Sequence, residues 1–228
     1  IDTGVNAAAV LIVGELGTET VAEIERLVAT NVTGTALASR AALRQFRTQG
    51  HGGLINVSSL LGIAPNPLTP AYAMSKFAVR GLSLSLHHAV GRRGAIRVCT
   101  VMPGPIDTPM FEQAANHSGR QLRAIPPATS PERLAAGILR CARRPRRQLT
   151  VGASGWGILL AHRFAPRPTE WAVAQASARL LVRRRPAPPS SGALFATSVG
   201  ETTHGGWRRG AWRRRSGDAL GRLLARMP

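Results

Sequence analysis

The chain has 228 residues, 44% of them hydrophobic, which is enough to bury one sizeable core. No apolar run approaches the roughly 20 residues that a membrane-spanning helix needs, and no secretory signal pattern is found. The two cysteines, Cys99 and Cys141, lack the number and spacing of a disulfide framework or a zinc site. We therefore expect a cytoplasmic protein without a bound metal.

The formal net charge of +19 is large enough to attract nucleic acid or an anionic membrane surface. The charge is unevenly distributed, because ten arginines and only two acidic residues lie between positions 183 and 228. Residues 186–228 are also rich in proline, glycine and serine, which predicts a basic, disordered tail.

Strand and helix patterns alternate along the first 152 residues. A short apolar strand at Ile1–Val5 precedes a long helix that opens at the capping box Thr20–Glu23 and runs towards Gln49. The other predicted strands are Leu54–Ser58, Ile96–Met102 and Gln148–Val151, and the other predicted helices are about 70–90, 131–143, 156–164 and 169–183. The turn-rich stretch 107–129 predicts a mobile flap.

This alternation predicts an α/β fold with a doubly wound parallel sheet and helices on both faces, since parallel neighbours need long crossover connections. We predict that this domain covers residues 1–152, that a helical extension covers 153–185, and that the tail covers 186–228. In such sheets ligands bind beyond the carboxyl ends of the strands, where Ser58–Ser59 and Pro103–Gly104 fall.

Tyr72 is the only tyrosine, and Lys76 is the only lysine among 30 lysine and arginine residues. Their four-residue spacing places both side chains on one face of the predicted helix. A nearby ammonium lowers the pKa of a phenol, so Lys76 is predicted to make Tyr72 a better acid and base. The ammonium is also compact enough to donate to the hydroxyls of a ribose.

Ser59 and Asn31 extend this constellation. Ser59 follows a predicted strand, where its hydroxyl can donate to a substrate carbonyl oxygen as charge grows there, while Tyr72 delivers or removes the proton. Asn31 lies inside the first long helix and either distorts its backbone or holds a water that resupplies the proton through Lys76. Ser58 is interpreted as a strand-end hydrogen-bonding residue.

The residues Asn31, Ser59, Tyr72 and Lys76 resemble the Asn-Ser-Tyr-Lys tetrad of classical short-chain dehydrogenases/reductases in order and spacing. The resemblance covers about residues 1–152 and includes the motifs Thr30–Gly34, Asn56–Ser59 and Pro103–Thr108. It implies an oxidoreductase that uses NAD or NADP for hydride transfer between nicotinamide and a carbonyl/alcohol substrate, with Tyr72 as acid and base. It also implies a homodimer or homotetramer.

The same resemblance implies a cofactor site. Its members would be Tyr72 and Lys76 together with Asn6, Pro103, Gly104, Ile106 and Thr108. Ile106 would offer its backbone, and Thr108 its hydroxyl, to the nicotinamide carboxamide.

Two features depart from the family pattern. Val5–Ala9 keeps Asn6 of the Asn-Asn-Ala-Gly motif but has alanine at the second Asn and at the Gly, which puts part of that hydrogen-bonding in doubt. The sequence also contains no Thr-Gly-x-x-x-Gly-x-Gly turn, the element that binds the cofactor pyrophosphate at a helix N-terminus. We therefore expect a fragment or a truncated gene product with a partial Rossmann-like sheet, and this truncation disfavours activity of the chain itself.

Alternative functions are weighed against this one. A non-catalytic scaffold whose basic tail binds nucleic acid or an anionic membrane is compatible with the charge, with Trp207–Arg213 and with a helix from Trp171. A serine hydrolase is disfavoured, because position 156 is Trp where the Gly-x-Ser-x-Gly elbow needs glycine. The six histidines show no metal-ligand grouping.

Overall fold

A computed structural model of the protein describes residues 1–91, 94–196 and 202–208. In chain order the strands are β1 (Thr3–Asn6), β2 (Ile12–Val13), β3 (Gly52–Val57), β4 (Ile96–Pro103), β5 (Ala115–Asn116), β6 (Arg120–Leu122), β7 (Gln148–Val151) and β8 (Val182–Pro186). The α-helices are α1 (Val21–Val28), α2 (Thr35–Gln49), α3 (Pro70–Ala89), α4 (Met110–Gln113), α5 (Pro131–Arg143), α6 (Ala153–Phe164) and α7 (Pro166–Leu180).

The main sheet has four strands in the order β1–β3–β4–β7, and all of its pairings are parallel. Helices α2 and α3 cover one face, where Leu43, Phe46, Leu54 and Val98 form a buried cluster. Helix α5 packs on the other face against strands β3, β4 and β7. The predicted α/β fold is confirmed, because each parallel pairing is joined by a helical crossover.

Local signals explain where the helices begin and end. Helix α1 begins at Thr20, whose side chain accepts from the Glu23 backbone while the Glu23 carboxylate accepts from the Thr20 backbone. Helix α2 ends at Gly50, whose φ of 83° is left-handed and favours glycine. Helix α5 begins with Ser130 as its N-cap and Pro131 in its first turn.

The predicted long helix 20–49 is interrupted at Ala29–Gly34, which forms a π-helical segment. Such segments insert extra residues into a helix and often mark functional sites. Asn31 lies in this segment, in keeping with the first of its two predicted roles, a distortion of the helix backbone.

The predicted flap 107–129 contains ordered pieces, although its mobility remains a prediction. It carries α4, β5 and β6, and β5 pairs in parallel with β2, which the sequence pattern did not indicate. Strands of two or three residues are too short to produce a recognisable alternation.

The structure differs from the prediction at the start of the tail, where disorder was expected from residue 186. Strand β8 pairs antiparallel with β6, Ser190 exchanges backbone hydrogen bonds with Asn116, and the Leu194 side chain is buried in the core. Residues 186–196 therefore pack on the body of the protein, because Ser190 pairs with Asn116 and Leu194 buries an apolar side chain. Residues 197–201 and 209–228 lie outside the described part of the chain.

None of the helices in the described residues combines the length and apolar character needed to cross a membrane.

Candidate active site

Tyr72 and Lys76 lie in the first turns of α3, and both side chains are buried. The Lys76 Nζ atom is 5.4 Å from the centroid of the Tyr72 ring and donates a hydrogen bond of 3.1 Å to the Val57 carbonyl. The helix thus places the phenol and the ammonium side by side, as the four-residue spacing predicted, and Val57 ties the ammonium to the end of β3.

Burial sets the protonation of this pair. It raises the pKa of Tyr72, which a hydrogen bond with the Ser59 side chain lowers only in part. Burial also lowers the pKa of Lys76 to about 8. The pKa of Tyr72 is thus raised, whereas the sequence predicted a lowered value, because the loss of solvation has the largest effect on this phenol.

Ser59 joins Tyr72 from the end of β3. It precedes a short 3₁₀ turn, Leu60–Gly62, and its hydroxyl oxygen accepts from the Leu61 backbone. Gly62 allows this turn to approach α3 closely, since a Cβ atom at this position would lie 2.8 Å from the Lys76 carbonyl oxygen. The Ser59 hydroxyl, the Tyr72 phenol and the Lys76 ammonium therefore belong to one site.

Ser58 is part of the framework beneath this site. Its hydroxyl donates a hydrogen bond of 2.8 Å to the Lys76 carbonyl, and its backbone N–H donates to the Val101 carbonyl of β4. These contacts join β3, β4 and α3, in keeping with the interpretation of Ser58 as a hydrogen-bonding residue rather than a second reacting group.

Asn31 is buried behind Tyr72. Its side-chain amide donates 3.0 Å to the Ser75 hydroxyl and 2.9 Å to the Val10 carbonyl, and its side-chain oxygen accepts 2.8 Å from the Val10 backbone. The Ser75 hydroxyl donates to the Tyr72 carbonyl. The contacts of the Asn31 side chain thus fix the π-helical segment to α3 and to the chain that follows β1.

Asn6 is held in a network that crosses the main sheet. Its amide donates 2.8 Å to the Asn56 side chain of β3 and 3.1 Å to the Ser39 hydroxyl of α2. Asn56 in turn donates 2.9 Å to the Ser83 hydroxyl of α3. The retained Asn6 therefore joins β1, β3 and α2 through side-chain hydrogen bonds.

The Pro103–Thr108 turn leaves β4 at the same sheet edge as Ser59, because β3 and β4 are parallel and end together. The Gly104 backbone donates to the Val151 carbonyl, and Ile106 forms a bridge with Thr129. The contacts that the structure gives this turn run to β7, to Thr129 and to residues 205–207, not to Tyr72 or Lys76.

Asp107 and Trp207 form a contact that sequence reasoning missed. The Asp107 carboxylate is fully buried and accepts from the Trp207 backbone N–H at 2.7 Å, while the Trp207 indole N–H donates 3.1 Å to the Thr108 carbonyl. A hundred residues separate the partners, so no local pattern predicts the contact. In the sequence Trp207 stands out only as an aromatic residue among cations.

No group of three or more metal-ligating side chains occurs within residues 1–91, 94–196 and 202–208. A surface cavity of about 600 Å³ lies at the end of α5. Its lining consists of Ala136, Leu139, Arg140, Arg143, Arg144 and Arg146. None of the predicted site residues lines this cavity.

Known proteins resemble this chain in sequence. The family model described as short chain dehydrogenase matches residues 1–119, slightly more than half of the chain. An uncharacterized oxidoreductase, YxnA of Bacillus subtilis, is 32% identical over 217 residues, which are 91% of this chain and 60% of that protein. A 3-alpha-(or 20-beta)-hydroxysteroid dehydrogenase of Mycobacterium tuberculosis is 38% identical over 108 residues, 47% of this chain and 41% of that protein.

Solved structures agree in fold. A short-chain dehydrogenase from Streptomyces avermitilis has a TM-score of 0.61 and 26% identity, with 78% of this chain and 70% of that one covered. A short chain dehydrogenase from Burkholderia cenocepacia in complex with NADP also has a TM-score of 0.61, at 23% identity and with 80% and 71% covered. The chain spans about 60% of the length of the Bacillus relative. From the family match, together with the parallel sheet and the Tyr72 site, the chain belongs to the short-chain dehydrogenase family.

Proposed function

We propose that this chain carries the proton-transfer site of an NAD(P)-dependent oxidoreductase that interconverts a carbonyl and an alcohol. The observation that carries the proposal is that the buried side chains of Tyr72 and Lys76 lie beside each other and beside the half-buried Ser59 at the carboxyl end of β3. Bound nicotinamide would supply or accept the hydride at the substrate carbon. Side chains of this chain would carry out proton transfer, orientation of the substrate and binding of the cofactor.

Tyr72 is the group that exchanges the proton with the substrate oxygen. Burial raises its pKa, so the phenol stays protonated at neutral pH and is ready to donate. A protonated donor suits reduction, in which the carbonyl oxygen gains a proton as negative charge develops on it. Alcohol oxidation requires the phenolate, whose formation this burial disfavours.

Ser59 orients the reacting oxygen. Its hydroxyl interacts with the Tyr72 side chain, so a substrate oxygen placed between them receives two hydrogen-bond donors. Donors fixed before the reaction stabilise the developing charge without having to reorganise. The hydrogen bond from the Leu61 backbone holds the Ser59 oxygen in place and leaves its own proton available.

Lys76 fits the ribose of a nicotinamide cofactor. Its buried ammonium donates to the Val57 carbonyl, and an ammonium has three donors, so two remain for hydroxyl groups beside Tyr72. Asn6, Pro103, Gly104, Ile106 and Thr108 complete the proposed cofactor site by resemblance. Asn6 supports it from the sheet network rather than by contact, because its amide is already bonded to Asn56 and Ser39.

The choice between NAD and NADP is left open. The Burkholderia structure of similar fold contains NADP, but its 23% identity carries only the fold to this chain. The part of the family pattern that binds the pyrophosphate is not found in this sequence. Carbonyl reduction should therefore be measured with both NADH and NADPH.

A homo-oligomer is proposed as well. By resemblance the contact between subunits would use α2 and α3, and these helices expose three large apolar side chains, Leu37, Met74 and Phe77. Exposed apolar side chains on adjacent helices fit a contact with a second copy. Light scattering would show a dimer or tetramer, and a monomer at micromolar concentration would contradict the proposal.

The experiment compares carbonyl reduction and NAD(P)H binding in three variants. Tyr72→Phe should abolish turnover, by about 10³-fold or more, with the dissociation constant of NAD(P)H changed less than about threefold. Ser59→Ala should lower kcat by about 10²-fold. Ser58→Ala is the matched control, because it removes a neighbouring hydroxyl of the framework and should retain most of the wild-type kcat.

Each variant is prepared in the chain as it is and in a longer form preceded by the strand, Gly-rich turn and helix of a family member. The longer form supplies the phosphate-binding energy that the sequence lacks. Normal turnover by Tyr72→Phe in either form would remove Tyr72 from its proposed role.

A second candidate function is a non-catalytic scaffold that binds an anionic membrane. It is favoured by Trp156, Phe164 and Trp171, which are exposed on α6 and α7 close in sequence to Arg163 and Arg167. Retention of the protein on anionic vesicles but not on neutral ones, combined with no turnover in the longer form, would favour this candidate.

A further inference from the structure

Cys99 and Cys141 are 42 residues apart in the sequence and in direct contact in the fold. Cys99 lies in β4 and Cys141 in α5, and the Cys99 thiol donates to the Cys141 sulfur across 2.7 Å. Both side chains are buried. At this separation no other group fits between the two sulfurs.

The packing around the pair is built from regular elements. Both cysteines belong to the apolar cluster between α5 and the sheet, with Ile55, Leu149 and Val151 as neighbours. Helix α5 is seated closely on this face, since a Cβ atom at Gly137 would lie 2.9 Å from the Val151 side chain. The contact between the sulfurs therefore follows from the core packing of the fold.

We propose that Cys99 and Cys141 form a modification site, at which a small peroxide oxidises the two thiols to a disulfide that ties α5 to β4. This proposal does not depend on the proposed dehydrogenase activity. Its rival is the ordinary behaviour of buried cysteines, which act as small, inert apolar side chains.

The chemistry balances with hydrogen peroxide as the oxidant. The Cys141 thiolate attacks one peroxide oxygen, the O–O bond breaks, and Cys141 becomes a sulfenic acid while hydroxide leaves. The Cys99 sulfur then attacks the Cys141 sulfur, the S–S bond forms, and water leaves. In total two thiols lose two electrons and two protons, and one hydrogen peroxide becomes two water molecules.

The surroundings favour Cys141 as the attacking sulfur. The hydrogen bond from Cys99 lowers the pKa of the Cys141 thiol, burial opposes this, and the positive charges of Arg146 and Arg140 support it. The same hydrogen bond and burial raise the pKa of Cys99. One thiol of the pair is thus prepared as a nucleophile, and the other is held next to it as the resolving group.

The test uses the full chain, treated first with dithiothreitol and then with hydrogen peroxide. Because the chain has only two cysteines, the expected product is a monomer lighter by two hydrogen atoms, with no thiol left to alkylate in denaturant. A peptide digest without reductant should join the Cys99 peptide to the Cys141 peptide. Dithiothreitol should restore both thiols.

Thermal unfolding gives a second readout. The closed loop should raise the melting temperature of the oxidised wild type by about 5–10 °C. Cys99→Ala and Cys141→Ala serve as matched controls, in which peroxide should bring no rise in melting temperature. The mass measurement on the wild type does not depend on how well these variants fold.

Three outcomes would overturn the proposal. They are two thiols still free after peroxide treatment, oxidation of one sulfur to sulfinic or sulfonic acid without a cross-link, and a disulfide between two chains in place of the internal one.

Discussion

The backbone N–H of Trp207 donates a 2.7 Å hydrogen bond to the carboxylate of Asp107, which has no exposed surface. The Gly205 backbone donates to the Asp107 carbonyl, and the Trp207 ring lies edge-on to Phe111. Phe111 packs against the core cluster that contains Tyr72. The chain near residue 205 therefore packs against the flap at Asp107, Thr108 and Phe111.

Gly205→Ala should release this contact. A Cβ atom at Gly205 would collide with the Thr108 carbonyl oxygen and the Trp207 indole nitrogen, so residues 202–208 cannot keep their position. We expect trypsin to cleave after Arg208 about tenfold faster, since a clash of about 1–2 kcal/mol shifts the docking equilibrium by that order.

Gly81→Ala is the matched control for this experiment. Gly81 lies within α3, and no atom would come within 4 Å of its new Cβ. We expect an unchanged cleavage rate at Arg208 and a gain in stability of about 0.5–1 kcal/mol from improved helix propensity. Equal cleavage rates in both variants would show that Gly205 does not govern the docking.

The local parts of this fold were predictable from the sequence because their signals are local. The capping box at Thr20–Glu23, Ser130–Pro131 before α5 and the apolar run of β4 lie within single elements, and each of these elements begins where the sequence predicts it. The relative position of the Tyr72 and Lys76 side chains was predictable for the same reason, since one turn of helix fixes their separation.

Contacts between distant segments were not predictable in this way. The Cys99–Cys141 contact and the docking of Trp207 depend on which elements pack together, and periodicity does not specify this. The direction of the Tyr72 pKa shift was missed because the sequence shows a neighbouring cation but not the depth of burial, which has the larger effect.

Lys76→Met should change how stability depends on pH. Burial lowers the pKa of Lys76 from 10.5 to about 8 in the folded state, so between these values the unfolded chain binds more protons than the folded chain. Stability contributed by this group therefore rises with pH. The free energy of unfolding of the wild type minus that of Lys76→Met should increase by about 2 kcal/mol as the pH rises from 7 to 9.5.

Urea unfolding at several pH values measures this difference, and Tyr72→Phe is the control. Because the pKa of Tyr72 is raised, its phenol stays protonated in the folded state over this range, and the difference from wild type should stay flat. A flat difference for Lys76→Met as well would mean that Lys76 is not a desolvated ammonium.

Asn56→Ala should be among the most destabilising single changes in the sheet. The Asn56 side chain has no exposed surface, accepts from Asn6 and Ser39, and donates to Ser83. Truncation leaves these buried partners without their bonds, at a cost of about 2–4 kcal/mol in the free energy of unfolding. Urea unfolding gives the value.

Two comparisons make this result specific. Asn6→Ala removes a partner from a half-buried position and should cost less, about 1–2 kcal/mol. Gln45→Ala removes an exposed amide from α2 and should cost less than about 0.5 kcal/mol. A loss at Asn56 no larger than at Gln45 would contradict the network.

The last prediction concerns Glu23, whose buried carboxylate joins three segments of the chain. It accepts from the Thr20 backbone at 2.8 Å, from the Ser191 hydroxyl at 2.8 Å and from the His117 ring at 3.1 Å. Burial alone would raise the pKa of Glu23, but these partners together hold it below the usual 4.5. The ionised form is therefore the one that the fold stabilises.

Glu23→Gln keeps the shape of the side chain and removes its charge, and should cost about 1–3 kcal/mol at pH 7. A lowered folded-state pKa means that the carboxylate contributes its full stability above pH 4.5 and loses it as the pH falls through the lowered value. The difference between wild type and variant in urea unfolding should accordingly shrink below pH 4.5. Glu25→Gln, an exposed change on the same helix, should stay within about 0.5 kcal/mol of wild type. If the Glu23 difference instead grew towards acid pH, the carboxylate would be held in its protonated form, and the three segments would not be joined by its charge.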